Sequence, residues 1–251
     1  MPILEAYDAF AYAYDQALGE KFFQAVRRLL AFVVDKYPAR ELSHLDVACG
    51  TGLAMEFFEK RGYRSVGVDA SLAMLGVARR RADRLVGGDY RALPFRGHFA
   101  RVTSLYDSLN HIEERDGLLA AFRSIRGVMS AESLLLFDMN HPDIYPAVWG
   151  MREPYVSTGR DHHLEIATKF RARDRIALGL VTGWAALPNG ERVKIRETHR
   201  QRAWSEEEIR ACLDEAELEP VEVIDFDPFQ EIMNVDARGV KLFFVCRVKR
   251  A

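Results

Sequence analysis

His44-Leu45-Asp46-Val47-Ala48-Cys49-Gly50-Thr51-Gly52 decides how the rest of the chain is read. Leu45–Ala48 reads as a short buried strand, and Cys49-Gly50-Thr51-Gly52 as the tight turn that opens a helix over residues 53–61. In an open α/β sheet, ligands sit outside the carboxyl ends of the strands, near the point where strand order reverses. Glycines there let a ligand approach the backbone, and helix N-terminal N–H groups face an anionic group. A glycine turn by itself is equally a plain tight turn. The dinucleotide fingerprint needs a third glycine, and Met55 occupies that slot.

Short apolar runs alternate with amphipathic stretches on both sides of this turn. Apolar positions at Phe22, Phe23, Val26, Leu29, Leu30, Val33 and Val34 predict a helix over residues 20–34, closed by Pro38. Strands are expected at Ser65–Val68, Leu85–Val86, Arg101–Tyr106 and Ser133–Phe137, the last ending at Asp138. Ser71 is the expected N-cap of a helix through Arg81, and residues 114–129 form a helix. This alternation implies a parallel sheet with helices on both faces. The grammar then changes. Residues 163–172, 176–187 and 191–203 alternate charged and apolar residues, with the turn pair Asn189-Gly190 between the last two, as in an antiparallel insertion with one wet face. The α/β pattern resumes with a capping box at Ser205 and Glu208, a helix over 205–217, and strands at Val221–Phe226 and Val240–Val248.

Acidic residues recur at the strand ends. Asp69 follows Gly52 by 17 positions and can accept both hydroxyls of a ribose. Asp89, in Gly87-Gly88-Asp89-Tyr90, can accept an adenine amino group, and Asp46 can hold the turn or a ligand's amino group. Each of these is also an ordinary surface residue type. Three in this order at successive strand ends are far harder to obtain by chance.

Composition narrows the class. The chain has 251 residues, 49% hydrophobic and 29% charged, with a net charge of −2. That length fits one large domain with an insertion, or two small ones. The absence of a basic excess argues against sequence-independent nucleic-acid binding and against a polybasic membrane anchor. Cys49, Cys212 and Cys246 are odd in number and far apart, so neither a disulfide framework nor a CxxC metal site is expected. His162-His163 has no third ligand spaced nearby, and no metal is expected. The N-terminal residues do not read as a signal peptide, no run of ~18 apolar residues occurs, and a cytoplasmic location is expected.

LDVACGTG, VGVDAS, GDYRALPF and LYDSLNHI resemble the successive motifs of class I S-adenosylmethionine-dependent methyltransferases. The opening Tyr7-Asp-Ala-Phe10-Ala11-Tyr-Ala-Tyr14-Asp15 and the segment Glu197-Thr-His199-Arg-Gln-Arg202 resemble a small-molecule subgroup that is similar to glycine N-methyltransferase and to the sugar N,N-dimethyltransferases. The resemblance implies a Rossmann-like, seven-stranded, mostly parallel sheet with the last strand antiparallel. A cofactor-binding domain would span residues 1–140 and 204–251, with an N-terminal helical lid. The antiparallel β insertion, residues 141–203, would cover the acceptor.

The resemblance also implies the site. Asp46, Ala48, Gly50, Thr51 and Gly52 would line the amino-acid end of S-adenosyl-L-methionine, and Asp69 would bind its ribose. Ala70 and Met74 would pack near the adenosine, Asp89 and Tyr90 would contact adenine, Tyr106 and Asp107 would flank the methionine portion, and Tyr7 would reach the cofactor from the lid. Ala48 departs from the glycine more common at its position, and Ala100 from an aspartate. Methyl transfer leaves S-adenosyl-L-homocysteine and needs chiefly orientation and electrostatics, with a base optional. His111 is the first base candidate, or else a helix cap. Tyr14 is the second, or else core packing. On the last strand of the insertion, Arg196 and Arg202 share one face and His199 the other; an arginine there would clamp a substrate carboxylate, or else the strand is a solvated charged face. Trp149, Tyr155, Trp184 and Phe229 are candidate apolar walls. The expected reaction is methyl transfer to a small molecule at nitrogen or oxygen, by a monomer or homodimer. A non-catalytic cofactor-binding module and an NAD-dependent oxidoreductase are the rival readings.

Overall fold

The computed structural model of the chain describes residues 7, 9–226 and 240–250. The N-terminal helical stretch has three parts. Helix α1 (Ala11–Tyr14) passes through a π-helical turn, Asp15–Gly19, into α2 (Glu20–Lys36). Such π-turns are rare and often sit at functional sites. Here Gly19 makes room for the ring of Tyr14, because a Cβ at Gly19 would lie 2.9 Å from Tyr14 Cε1.

The alternating segment follows. It comprises β1 (Ser43–Val47), α3 (Leu53–Glu59), β2 (Arg64–Asp69), α4 (Leu72–Ala78), β3 (Leu85–Gly87), β4 (Arg101–Ser104), α5 (Arg115–Gly127) and β5 (Leu134–Asn140). A short α6 (Ile144–Val148) leads to β6 (Tyr155–Thr158), β7 (His162–Arg171), β8 (Ile176–Ala186) and β9 (Arg192–Arg202). The chain then returns through α7 (Glu206–Glu215) to β10 (Leu218–Phe226) and β11 (Lys241–Val248). Seven strands form one sheet in the order β3-β2-β1-β4-β5-β11-β10, with β11 antiparallel to both neighbours. Strands β6 to β9 form a second, antiparallel sheet. The expected fold class is therefore the observed one.

The local signals act where the sequence places them. Ser71 Oγ accepts the Met74 N–H, capping α4, and Ser205 with Glu208 makes both bonds of a capping box at α7. The large sheet is covered on one face by Leu118, Phe122, Ile125 and Trp204, and on the other by Leu30, Val33, Phe57 and Phe58. The second sheet buries Leu164, Val181 and Ile195 against Phe10, Ala13 and Ala17 of the N-terminal stretch.

Several boundaries differ from the sequence reading, three of them at the carboxyl ends of central strands. Strand β1 stops at Val47 because Ala48 has a left-handed φ of 57°. Strand β4 stops at Ser104, not Tyr106, because Tyr106 and Asp107 have φ of 62° and 51°, which no strand accommodates. Strand β5 runs on to Asn140, because β11 pairs with it from Leu134 to Asn140. Asp138 thus lies inside a buried strand instead of at its end. Strand β6, only four residues long, was not expected from the sequence.

Candidate active site

At the carboxyl ends of β1, β2 and β4, where strand order reverses, lies a cavity of about 290 Å3. The glycine turn forms one wall. Gly52 caps α3 with φ of 83°, a conformation that favours glycine. Asp69, at the end of β2, accepts the N–H groups of Gly50 (2.8 Å) and Ser71 (2.8 Å). Its carboxylate is thereby fixed toward the cavity with lone pairs to spare. Burial raises its pKa, opposed by those backbone bonds. Ala70, Met74 and Tyr90 supply flat, mainly apolar walls. Asp89 meets the cavity but is gripped by Arg91, whose guanidinium binds both of its oxygens and lowers its pKa.

Beneath the turn, Asp46 is buried and ends a chain of polar side chains. Thr103 Oγ1 donates to Asp46 Oδ1 (2.6 Å), so its oxygen accepts from His44 Nε2 (2.8 Å). Burial lowers the pKa of His44 to about 3, so the ring is neutral and Nδ1 accepts from Ser65 Oγ (3.0 Å). Burial pushes Asp46 up to about 7. The same burial raises the Cys49 thiol far above its usual range, which makes it a packing residue and not a nucleophile.

A second cavity, about 200 Å3, lies between the end of the large sheet and the inner face of the small one. Its floor is a buried charge cluster. Asp138 accepts the N–H groups of Tyr106 (2.6 Å) and Asp107 (3.0 Å), holding both in their left-handed conformations. Lys241 Nζ bonds to Asp107 Oδ1 (2.5 Å) and Asp138 Oδ2 (2.6 Å), and Gln201 Nε2 donates to Asp107 Oδ2 (2.5 Å). Burial opposes the Lys241 charge, but the two carboxylates outweigh it and hold the ammonium above its usual range.

Tyr7, Tyr14, Tyr106 and His111 line both cavities and form the boundary between them. Tyr7 Oη lies 3.2 Å from His111 Nε2. Burial lowers the pKa of His111, opposed by the Asp107 charge. A neutral imidazole keeps a lone pair on one ring nitrogen. The N-terminal stretch is tied down from two sides. Glu197 on β9 accepts the N–H groups of Tyr7 (2.8 Å) and Phe10 (3.0 Å). Asp15 accepts from Thr51 Oγ1 (2.5 Å) and from Arg81 Nη1 (2.7 Å), which joins the stretch to the glycine turn.

Of the residues expected to hold a cofactor, Tyr7, Ala48, Gly50, Thr51, Asp69, Ala70, Met74, Asp89, Tyr90 and Tyr106 line the first cavity. Asp46 and Gly52 lie beneath it as supports. Asp107 faces the second cavity instead, because its left-handed backbone turns the side chain toward Lys241. Of the expected acceptor residues, His199 lines the second cavity. Arg196 lies on the exposed face of β9, and Arg202 is committed to the Glu113 carbonyl and Glu208; neither meets either cavity. Trp149 and Tyr155 are cavity walls, whereas Trp184 stacks under Arg192. Phe229 lies outside the described residues. Asp15, Asp138, Glu197, Gln201 and Lys241 were not singled out from the sequence. Asp15 and Glu197 stand in quoted motifs, but nothing local marks them as clamps.

Comparison with known proteins fits this geometry. Residues 45–131 match a family model described as a methyltransferase domain. That segment carries the glycine turn, Asp69, Asp89 and His111. Over this segment the chain matches a methyltransferase domain, and beyond it the chain is similar in fold to S-adenosylmethionine-dependent methyltransferases. A crystal structure of an S-adenosylmethionine-dependent methyltransferase from Clostridium acetobutylicum superposes with a TM-score of 0.80 at 20% identity, covering 98% of this chain and 100% of that one. The cypemycin N-terminal methyltransferase of a Streptomyces species is 28% identical over 191 residues, 73% of this chain and 74% of that protein. A dTDP-3-amino-3,6-dideoxy-alpha-D-glucopyranose N,N-dimethyltransferase of Streptomyces fradiae is 34% identical over 94 residues, 37% of each chain. The chain spans 57%, 55% and 50% of the length of the first three curated relatives it matches.

S-adenosylmethionine is the cofactor named for the superposed structure, and the first cavity fits its chemistry. A fixed carboxylate, Asp69, stands where a diol needs an acceptor, and apolar walls stand beside it for a flat base. Tyr106 adds a buried hydroxyl that has no protein partner. Among the described residues no helix is long and apolar enough to cross a membrane.

Proposed function

We propose that the chain transfers a methyl group from S-adenosylmethionine to a small-molecule acceptor, at nitrogen. The observation that carries this reading is the meeting of two cavities at Tyr7, Tyr14, Tyr106 and His111. The first takes the cofactor, with Asp69 on the ribose, Ala70, Met74 and Tyr90 around the base, and the glycine turn along the amino-acid end. The second takes the acceptor. The insertion and the N-terminal stretch cover it and keep water out.

Bound S-adenosylmethionine supplies an electrophilic sulfonium methyl and is released as S-adenosylhomocysteine. The chain supplies position and a proton path. Tyr7 Oη donates to the His111 lone pair and keeps its own lone pairs for an acceptor N–H. A proton leaving the acceptor nitrogen passes to Tyr7 Oη while the phenolic proton moves to His111. Burial holds Tyr7 protonated, so it relays the proton without standing as a phenolate. Tyr14 is wedged between the cavities with a pKa raised chiefly by burial, and it orients the reacting groups as a neutral phenol. A neutral His111 is the form a base requires.

Calorimetric titration with S-adenosylmethionine, S-adenosylhomocysteine and NAD, with Asp69→Ala alongside, tests the reading. Micromolar binding of the first two, lost in Asp69→Ala, followed by S-adenosylhomocysteine release with an amine acceptor, is the expected result. Binding of NAD alone overturns it.

A further inference from the structure

We propose that the acceptor is a compact amine on an apolar body of one or two rings, bound as the ammonium on Asp107 in the second cavity. This rests on the methyltransferase reading for its catalytic meaning, but the binding site stands on its own geometry. Size comes first. A cavity of about 200 Å3 is small beside the ~300–1,000 Å3 typical of pockets that enclose drug-sized ligands. It is smaller than the first cavity and has room for a body of one or two rings, not for the whole of a nucleotide-linked or oligomeric acceptor.

The walls decide the body. Leu18, Phe22, Ile144, Trp149, Ile166 and Val181 surround the cavity above its floor. The polar groups on the lining, among them Asn140, Tyr155, Thr168 and Gln201, are fewer than a polyhydroxylated ring needs, and each hydroxyl buried without a partner is unfavourable. An apolar ring meets no such penalty.

The floor decides the head group. Asp107 and Asp138 share one cation, Lys241, so the cluster carries a surplus negative charge. Behind the adjacent wall, Glu197 adds another carboxylate. Among the described residues, the one further cation on the cavity is Lys21, whose ammonium is 3.4 Å from Tyr155 Oη. In a site largely withdrawn from water, such an imbalance favours a cationic ligand. His199 strengthens the match. It is 6% exposed and lines the cavity, and neither ring nitrogen has a hydrogen-bond partner. Its Nε2 is 3.4 Å from Glu197 Oε2 without bonding alignment. An ammonium carries three N–H donors, which Asp107, His199 and Tyr7 Oη can accept.

Benzylamine, benzyl alcohol and glucosamine are titrated into the protein, with and without saturating S-adenosylhomocysteine. Benzylamine is expected to bind at least tenfold more tightly than either of the others. In the same wild-type protein, the bulkier 9-(aminomethyl)anthracene is expected not to bind. Ile166→Trp, which fills the chamber, is expected to abolish benzylamine binding. Equal or tighter binding of glucosamine or benzyl alcohol, or no binding of benzylamine, overturns the proposal. The two readings fail separately. Absence of S-adenosylhomocysteine binding with the benzylamine preference intact sinks only the methyltransferase reading. Loss of that preference with S-adenosylhomocysteine bound sinks only the acceptor class.

Discussion

Tyr7 Oη stands 3.2 Å from His111 Nε2, joining the N-terminal stretch to the turn after β4 at the boundary of the two cavities. The contact spans 104 positions of sequence and exists because Glu197 holds the Tyr7 backbone in place.

If that pair relays the proton, Tyr7→Phe and His111→Ala each reduce kcat by about 10²–10⁴-fold, the usual worth of a positioned acid–base group. His111→Ala leaves S-adenosylhomocysteine affinity within a few-fold of wild type. Because burial lowers the pKa of His111, the acid limb of the kcat profile falls below pH 6.5, the ordinary histidine value. Steady-state rates across pH 5–9, with calorimetry of each variant, check this. Equal losses in kcat and affinity would remove the catalytic role.

Glu197→Ala leaves the N–H groups of Tyr7 and Phe10 without their acceptor. Each unsatisfied buried group costs about 1–3 kcal/mol. The N-terminal stretch should then open locally before the rest of the protein unfolds. Hydrogen exchange is expected to rise at residues 9–14 and to stay unchanged in the large sheet, while cofactor affinity weakens. Unchanged exchange at residues 9–14 would mean that the other ties, from Asp15, from Ser71 Oγ to the Tyr7 carbonyl and from Tyr155 Oη to the Ala17 carbonyl, hold the stretch without Glu197.

Asp46 has a folded pKa of about 7 against an ordinary 3.8. Between those values the folded protein keeps a proton that the unfolded chain has released. By linkage, the stability contributed by this group is greatest at low pH and falls as pH rises from about 4 to about 7. Asp46→Asn removes that slope. Urea unfolding of both proteins at pH 5 and pH 8 should show a larger drop for wild type. Parallel behaviour would refute the assignment.

Ala48 holds a left-handed φ of 57° at the lip of the first cavity. A side chain there costs about 1–2 kcal/mol, and glycine's extra backbone freedom in the unfolded state returns about 0.5–1 of it. Ala48→Gly is expected to raise stability by about 0.5–1 kcal/mol without weakening cofactor binding. A fall in Tm would show that neighbouring contacts compensate for the strain.

Lys241→Met strands two buried carboxylates on each other. Removing one partner of a buried ion pair is destabilising by about 3–5 kcal/mol. Asp138 would then release Tyr106 and Asp107, so activity should fall further than cofactor affinity. Chemical unfolding and a turnover assay separate the two effects. A variant as stable as wild type would show that Asp138 holds the turn without its cation.

The parts of the site that could be read in advance are those built by neighbours in sequence. The glycine turn, Ser71 capping α4, and Asp69 two residues before that cap are one local device. Parity along β9 separates Arg196 from His199, because alternate side chains leave opposite faces of a strand. Parity does not say which face is covered, so the arginines remained candidates until the N-terminal stretch was seen to pack on the other side. The direction of the Asp107 side chain was not legible for a related reason: a left-handed pair after β4 turns it toward Lys241, and no composition signal marks that pair.

By itself, then, the sequence determined the strand–turn–helix order, the helix caps, the antiparallel insertion and the first cavity's floor, since each depends on periodicity or on hydrogen bonds within a few residues. Only the tertiary structure decided the second cavity. Lys241 reaches Asp138 across 103 positions and Asp107 across 134, and Glu197 reaches Tyr7 across 190. Such pairings follow from sheet order and from the packing of the insertion on the N-terminal stretch. They are held by burial, which makes each unpaired charge too unfavourable to tolerate.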